Sequence, residues 1–181
     1  FDRTNCTINF KDSKNTTVHK VQYSQIKTGS LKNVNYPSVY NIGYVGQGIF
    51  KSKDSSGKFT LVYKKWAKMM ERCYCKIYKS IHKSYQLTTV CKKWHNFQNF
   101  AEWFENNYNP ETMEGWHLDK DILADGEKVY SAKTCCLVPQ EINNLFIAYN
   151  ENKTGCFFNS ESGKYRVKLC IYGKQKSFGN Y

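Results

Sequence analysis

Apolar residues recur at helical spacing in two stretches near the middle of the chain. The first stripe consists of Trp66, Met69, Met70, Cys73 and Ile77, and the second of Phe97, Phe100, Ala101 and Phe104. Intervals of three and four residues place each set on one face of a helix. The pattern therefore predicts two core helices, and Asn96 is a suitable N-cap for the second.

The N-terminal part of the chain is polar and shows the alternation that is typical of short strands. Residues 6–10 and 17–21 flank a polar loop and predict a hairpin. The glycines of residues 43–48 predict turns, and the serines and lysines of residues 51–58 predict a loop. We expect residues 1–58 to form a small β-rich module.

Residues 117–146 predict a strand, a turn, a second strand and a short helix. Asp125–Gly126 is a turn signal, and Pro139 suits the first helical position, where its missing N–H is no loss. The apolar stripe of this helix consists of Ile142, Leu145 and Phe146. Asn143 borders that stripe and Asn144 points away from it, so we expect Asn143 to face the two strands.

Acidic and amide side chains in this element favour a metal site. The carboxylate of Asp119 and the amide oxygen of Asn143 are hard donors suited to Mg²⁺ or Mn²⁺. Strand alternation places Asp119 and Asp121 on one face with His117, and Lys120 on the other face. Taken alone, the Asp-Lys-Asp sequence is more often a surface cluster of ion pairs.

The charge of the chain indicates a polyanionic partner. Its 181 residues carry 27 Lys and Arg against 15 Asp and Glu, a net charge of +12, and the sequence pI is about 9.3. A basic balance of this size is the electrostatic footprint of a nucleic-acid-binding protein. No run of about 18 apolar residues exists, so we expect no association with a membrane.

The cysteines favour free thiols in a reducing compartment. They show neither paired Cys-x-x-Cys knuckles nor the density of a secreted disulfide scaffold. A structural Zn²⁺ site would have to combine Cys73, Cys75 and Cys91 with Cys135 or Cys136. Because Cys-x-Cys is an uncommon zinc spacing, zinc is the disfavoured alternative.

The region from about residue 60 to 150 resembles the phage-encoded HNH proteins related to homing endonucleases. The residues that carry the resemblance are Trp66, Met69, Arg72, Cys73, Tyr74, Val90, Cys91, Trp94, His95, Asn96, Phe97, Phe100, Trp103, Leu118, Asp119, Lys120, Asp121, Tyr130, Ser131, Cys135, Val138 and Pro139. The resemblance implies an α+β protein with a ββα-metal core over residues 59–150. The metal would be held by Asp119 and Asn143.

Two positions depart from the pattern of that family. The resemblance implies a histidine as general base directly after the strand acid, and this chain has Lys120 there. The middle asparagine of the HNH signature is replaced by Thr134. A lysine activates water only when its pKa is lowered by several units. Lys120, His117 and Asp121 therefore stay open as the catalytic group, and we expect His95 to be packed at the start of a helix.

The C-terminal segment, residues 151–181, predicts a basic sheet. Three strands are joined by turns at Ser162–Gly163 and Tyr172–Gly173. The segment is similar to the start of an ethylene-response-factor-type DNA-binding module, which implies a covering helix on its apolar face. No such helix precedes Tyr181, so we expect either an incomplete module or an apolar face that another part of the chain or a partner covers. An ordinary meander is the alternative.

The sequence thus predicts a metal-dependent DNA endonuclease or nicking enzyme in the cytoplasm of a phage-infected cell. The expected partner is double-stranded DNA, and a homodimer stays open. The predicted DNA contacts are Lys64, Lys68, Arg72, Arg166, Lys168, Lys174 and Lys176. One alternative is a catalytically disabled HNH-like DNA-binding protein that acts as a regulator or as a phage factor against host defence. Another is an RNA-binding module.

Overall fold

The structure is a computed structural model that describes residues 5–11, 17–124, 126–148, 156–160, 162–171 and 174–180. It is a mixed α+β protein, as the sequence predicts. The strands are β1 (Cys6–Asn9), β2 (Thr17–Val21), β3 (Thr89–Val90), β4 (His117–Asp119), β5 (Val129–Tyr130), β6 (Cys136–Val138), β7 (Cys156–Asn159), β8 (Lys164–Ile171) and β9 (Lys174–Asn180). The α-helices are α1 (Tyr23–Lys27), α2 (Leu61–Tyr74), α3 (Lys76–Ile81), α4 (Phe97–Asn107) and α5 (Gln140–Ala148).

The chain divides into two compact units. The first comprises residues 1–106 and 127–132, and the second comprises residues 107–126 and 133–181. This division differs from the three modules predicted at 1–58, 59–150 and 151–181. Residues 127–132 belong to the unit that holds the first helices, where β5 pairs in parallel with β3.

Helix α2 is the centre of the first unit. Its N-cap is Thr60, whose side-chain oxygen accepts the N–H of Tyr63 at 3.3 Å. The predicted stripe is buried from Trp66 to Cys73. Its last member, Ile77, is 73% exposed and lies in α3, so that part of the prediction is wrong. The helical period is interrupted because Cys75 takes an extended conformation.

Aromatic rings of α2 and α4 form the core of this unit. The indole Nε1 of Trp66 donates to the carbonyl of Trp94 at 2.8 Å, and the ring of Trp66 lies 5.5 Å from that of Phe97. Asn96 caps α4 as predicted, because its Oδ1 accepts the N–H of Gln98 at 3.0 Å. Burial of these large rings contributes most of the apolar stabilisation.

The glycines of residues 43–48 do more than form turns. A Cβ on Gly43 would lie 2.9 Å from atoms of Trp66 and Met70, so the chain passes directly over the aromatic core. Gly46 has a φ of +73°, and a Cβ there would meet the Asn96 side-chain oxygen at 2.1 Å. These glycines allow the loop to approach α2 and the cap of α4 closely.

The predicted hairpins and terminal sheet are present. Strands β1 and β2 pair antiparallel, and β7, β8 and β9 form an antiparallel sheet in that order. Residues 51–58 are a loop in which Asp54 Oδ1 accepts the N–H groups of Ser56 and Lys58. In the part of the chain that the structure describes, no helix has the length and apolar character needed to cross a membrane.

We expect Gly46→Ala to lower the free energy of unfolding by several kcal/mol. The positive φ accounts for about 1–2 kcal/mol, and the clash with Asn96 adds about 1–3 kcal/mol. Gly57→Ala is the matched control, because Gly57 has a φ of +80° and no atom within 4 Å of the added Cβ. Urea denaturation of both variants gives the difference. Equal losses would show that Asn96 moves aside without penalty.

Candidate active site

The candidate site lies in the second unit, where two short strands precede a helix. Strands β4 and β6 pair antiparallel, with His117 opposite Val138 and Asp119 opposite Cys136. Helix α5 follows directly, and its first backbone bond runs from the N–H of Asn143 to the carbonyl of Pro139 at 3.1 Å. Pro139 thus precedes the helix by one residue. The local order is strand, strand, helix.

The carboxylate of Asp119 ends strand β4. Its Oδ1 accepts the N–H of Asp121 at 2.8 Å and the N–H of Ile122 at 2.9 Å. Such a side-chain turn competes with continuation of the strand and bends the backbone away. Asp119 itself is buried, with 8% of its surface exposed.

The end of β4 changes the predicted arrangement of the next two residues. Alternation along a longer strand would place Asp121 beside Asp119 and Lys120 on the opposite face. Instead the Lys120 side chain is buried, at 7% exposure, and the Asp121 side chain is 66% exposed. The ammonium of Lys120 forms an ion pair with Asp121. The pair gives the buried ammonium of Lys120 an anionic partner, which a buried cation needs.

Asn143 faces strand β4, as the sequence predicts. Its side-chain nitrogen lies 3.3 Å from Nδ1 of His117, and both residues are half-buried. The neighbouring Asn144 is exposed, which agrees with its predicted direction. Ile142 is 39% exposed, so the apolar stripe predicted for this helix is not fully buried. The side chains of Leu145 and Phe146 lie outside the described part of the structure.

The contact between His117 and Asn143 relates the tautomer of the ring to the role of the amide. When the amide nitrogen donates to Nδ1 of His117, the amide oxygen is left for another partner and the neutral ring carries its proton on Nε2. When the amide oxygen accepts from Nδ1, the lone pair is on Nε2. The amide oxygen of Asn143 could bind a metal when the amide nitrogen donates to His117. His117 could act as a base when the amide oxygen accepts from its Nδ1.

The oxygen donors of Asp119 and Asn143 are of the chemical type that a hard divalent cation prefers. His117 and Asp119 occupy alternate positions of β4 and therefore share one face of that strand. The side chain of Asn143 contacts His117 on this face. Mg²⁺ and Mn²⁺ prefer such carboxylate and amide oxygens and retain water in the rest of their shell. Among the described residues there is no group of three or more His, Cys, Asp or Glu placed for a metal.

Cys136 is a neighbour of the site that the sequence analysis considered only as a zinc ligand. It lies opposite Asp119 in the strand pair. Burial, and then the charge of Asp119, raise the pKa of its thiol. Cys136 therefore stays a neutral thiol near neutral pH. Its position across a strand pair could not be read from sequence spacing.

The other predicted site residues lie in several places. His95 is in the first unit and packs at the start of α4, with Nε2 3.2 Å from the Tyr74 hydroxyl and 3.0 Å from the Val90 carbonyl. Of the described DNA-contact candidates, Lys64 and Lys68 are exposed, whereas Arg72 is half-buried. Lys68 also pairs with Glu71 at 2.5 Å.

The remaining DNA-contact candidates lie on β8 and β9. They are Arg166, Lys168, Lys174 and Lys176, and the structure describes their backbone but not their side chains. The register pairs Lys168 with Ser177 and Arg166 with Asn180. Lys174 and Lys176 pair instead with Ile171 and Leu169, which have apolar side chains. Asp125, at the predicted turn, and the turn at Tyr172–Gly173 lie outside the described residues.

Comparisons of the chain with protein families, with curated proteins and with solved structures give no match.

We expect a double-mutant cycle to detect the contact between His117 and Asn143. The singles His117→Ala and Asn143→Ala and the double variant should show a coupling of about 0.5–1.5 kcal/mol in the free energy of unfolding. The matched control replaces exposed Asn144 with alanine instead, and its coupling to His117 should be near zero. Equal couplings for Asn143 and Asn144 would contradict the contact.

Proposed function

We propose that this protein is a metal-dependent DNA endonuclease or nicking enzyme of the HNH type. The observation that carries the proposal is the placement of Asp119 and Asn143. Asp119 is the last residue of β4, and Asn143 lies on α5, which follows β6. The side chain of Asn143 contacts β4 at His117. Carboxylate and amide oxygens in a ββα order are the donor set that phosphodiester hydrolysis with Mg²⁺ or Mn²⁺ needs.

In this proposal Asp119 and Asn143 hold the metal. When bound, the cation supplies Lewis-acid stabilisation of the charge that develops on the phosphate. Asp119 has one oxygen occupied by the N–H groups of Asp121 and Ile122, which fixes the direction of the carboxylate. A ligand whose orientation is set by backbone hydrogen bonds is already arranged for binding. The turn at Asp119 therefore serves the proposed site as well as the fold.

Lys120 acts in this proposal as a cation and not as a base. Its ammonium is paired with Asp121, and a protonated amine has no lone pair with which to accept a proton from water. A buried positive charge beside Asp119 instead favours an incoming phosphate. Proton acceptance then falls to Asp121 or His117. When Asn143 uses its oxygen for the metal, Nε2 of His117 carries a proton, so of the two only the carboxylate of Asp121 is left to accept one.

The proposed substrate is double-stranded DNA. The net charge of +12 favours the phosphate backbone, and exposed Lys64 and Lys68 provide contacts that do not depend on base sequence. A single site of this kind cuts one strand, so a nick is the simplest product. A homodimer would be required for concerted cleavage of both strands.

We expect the wild-type protein to convert supercoiled plasmid to the nicked or linear form with Mg²⁺ or Mn²⁺, and EDTA to stop the reaction. Asp119→Asn should lower the rate at least about 100-fold, because the amide keeps the acceptor for the turn but loses the ligand charge. Asp54→Asn is the matched control, since Asp54 makes the same kind of turn in the loop of residues 51–58. Equal rates for wild type and Asp119→Asn would contradict the proposed site.

A second candidate function is that of a DNA-binding protein whose nuclease core is disabled. The observation that favours it is Lys120, a buried and ion-paired lysine at the position where the resemblance implies a histidine base. Such a protein would act as a regulator or against host defence.

The Lys120→His variant distinguishes the two functions. In the active enzyme, loss of the buried cation should slow cleavage. In the disabled protein, wild type should bind DNA in a salt-sensitive manner without cutting it, and the histidine should introduce nicking. Plasmid cleavage and DNA binding measured on the same preparations give the answer. Cleavage by wild type that Lys120→His leaves unchanged would contradict both assignments of Lys120.

A further inference from the structure

Arg72 is held among tyrosines in the first unit. It lies in the last turn of α2, and one of its terminal nitrogens, Nη1, is 3.5 Å from the hydroxyl of Tyr130. Its guanidinium carbon lies 5.9 Å from the centre of the Tyr85 ring. Tyr78 packs edge-on against Tyr85 at 5.7 Å. A guanidinium stacks well on aromatic rings, so this packing fixes the side chain in one orientation.

The guanidinium lacks an anionic partner among the described residues. Its Nε is buried and has no hydrogen-bond acceptor there, and the described ion pairs do not include Arg72. The bond to Tyr130 is long and therefore weak. A buried charged donor without an acceptor is unfavourable. An oxyanion at the terminal nitrogens of the guanidinium would supply the missing negative charge.

The surroundings of Arg72 are also positive and protic. Lys65 lies on the same helix, and burial together with the charge of Arg72 lowers the pKa of its ammonium. Burial opposes the charge of Arg72, yet the oxygens of Tyr130 and Tyr85 outweigh it and raise the pKa of the guanidinium. Burial raises the pKa of Tyr130, whose hydroxyl keeps its proton and can donate. An anion placed here would meet cations and hydroxyl donors.

The choice of arginine at this position is itself informative. Only three arginines, Arg3, Arg72 and Arg166, occur in the chain, against 24 lysines. Lysine serves as a point charge on most of the basic surface. A guanidinium offers a planar fork that can grip two oxygens of one phosphate, which an ammonium cannot do.

We propose that Arg72, with the hydroxyl of Tyr130, forms a phosphate-binding site in the first unit. The ligand is a phosphate group, either free or in the backbone of DNA. The free-phosphate assignment is independent of the proposed function, whereas the DNA assignment rests on it. Arg72 would then fix the position of one phosphate, apart from the chemistry at Asp119.

The test is NMR of the arginine side-chain N–H groups in the full chain, with inorganic phosphate as the probe and chloride at equal ionic strength as the reference. Three arginines give three assignable Nε–Hε signals. We expect the Arg72 signal to move in a saturable manner with phosphate and not with chloride. No movement, or movement confined to Arg3 or Arg166, would overturn the site. This measurement needs only the wild-type protein.

Two variants distinguish a specific phosphate-binding site from general charge attraction. Arg72→Lys keeps the charge but loses the fork, and should weaken phosphate binding at least about tenfold. Lys58→Gln removes one charge from the exposed loop of residues 51–58 and should leave phosphate binding unchanged. At a phosphate concentration near saturation, the melting temperature of the wild-type protein should rise by about 2–4 °C. That of Arg72→Lys should not rise. Equal weakening by both variants would overturn the proposal.

A short DNA duplex identifies the source of the phosphate. If the backbone occupies the site, the duplex moves the Arg72 signal and competes with inorganic phosphate. Arg72→Lys then weakens DNA binding with little change in its salt dependence, because the net charge is kept. If inorganic phosphate binds but the duplex does not compete, the site takes a free phosphate. Loss of plasmid cleavage in Asp119→Asn with unchanged phosphate binding would separate this site from the proposed nuclease centre.

Discussion

The turn made by the carboxylate of Asp119 is the interaction on which the candidate site depends. One oxygen accepts two backbone N–H groups and stops β4 after three residues. As a consequence Lys120 turns inward and Asp121 turns outward, and the two remain joined as an ion pair. The same carboxylate is the proposed metal ligand. A substitution that removes its charge but keeps its oxygen therefore separates chemistry from folding.

The first unit is organised by close packing rather than by long sheets. The indole of Trp66 is held by the carbonyl of Trp94, and the loop of residues 43–48 passes within contact distance because its glycines lack side chains. This core fixes the last turn of α2. Arg72 is therefore held among tyrosines. A flexible side chain on the surface would lose more conformational entropy on binding a phosphate than this ordered side chain.

Phosphate chemistry connects the two proposals. The centre at Asp119 and Asn143 would act on a phosphodiester, whereas the cluster around Arg72 would hold a phosphate without reacting with it. In these proposals the many lysines of the chain supply general attraction, and one of its three arginines holds a half-buried position on α2. In these proposals long-range charge would attract DNA, and the fixed donors around Arg72 would position one phosphate.

The sequence by itself determined the local elements: the buried stripe from Trp66 to Cys73, the cap at Asn96, the terminal strands, and the direction of Asn143. Periodicity and capping are short-range properties, so one segment contains the information. Only the tertiary structure decided that β5 pairs with β3, that Ile77 is exposed and that Lys120 is buried. Strand pairing joins residues 40 apart in sequence, as in Thr89 with Val129, and side-chain hydrogen bonds end elements where alternation would continue them.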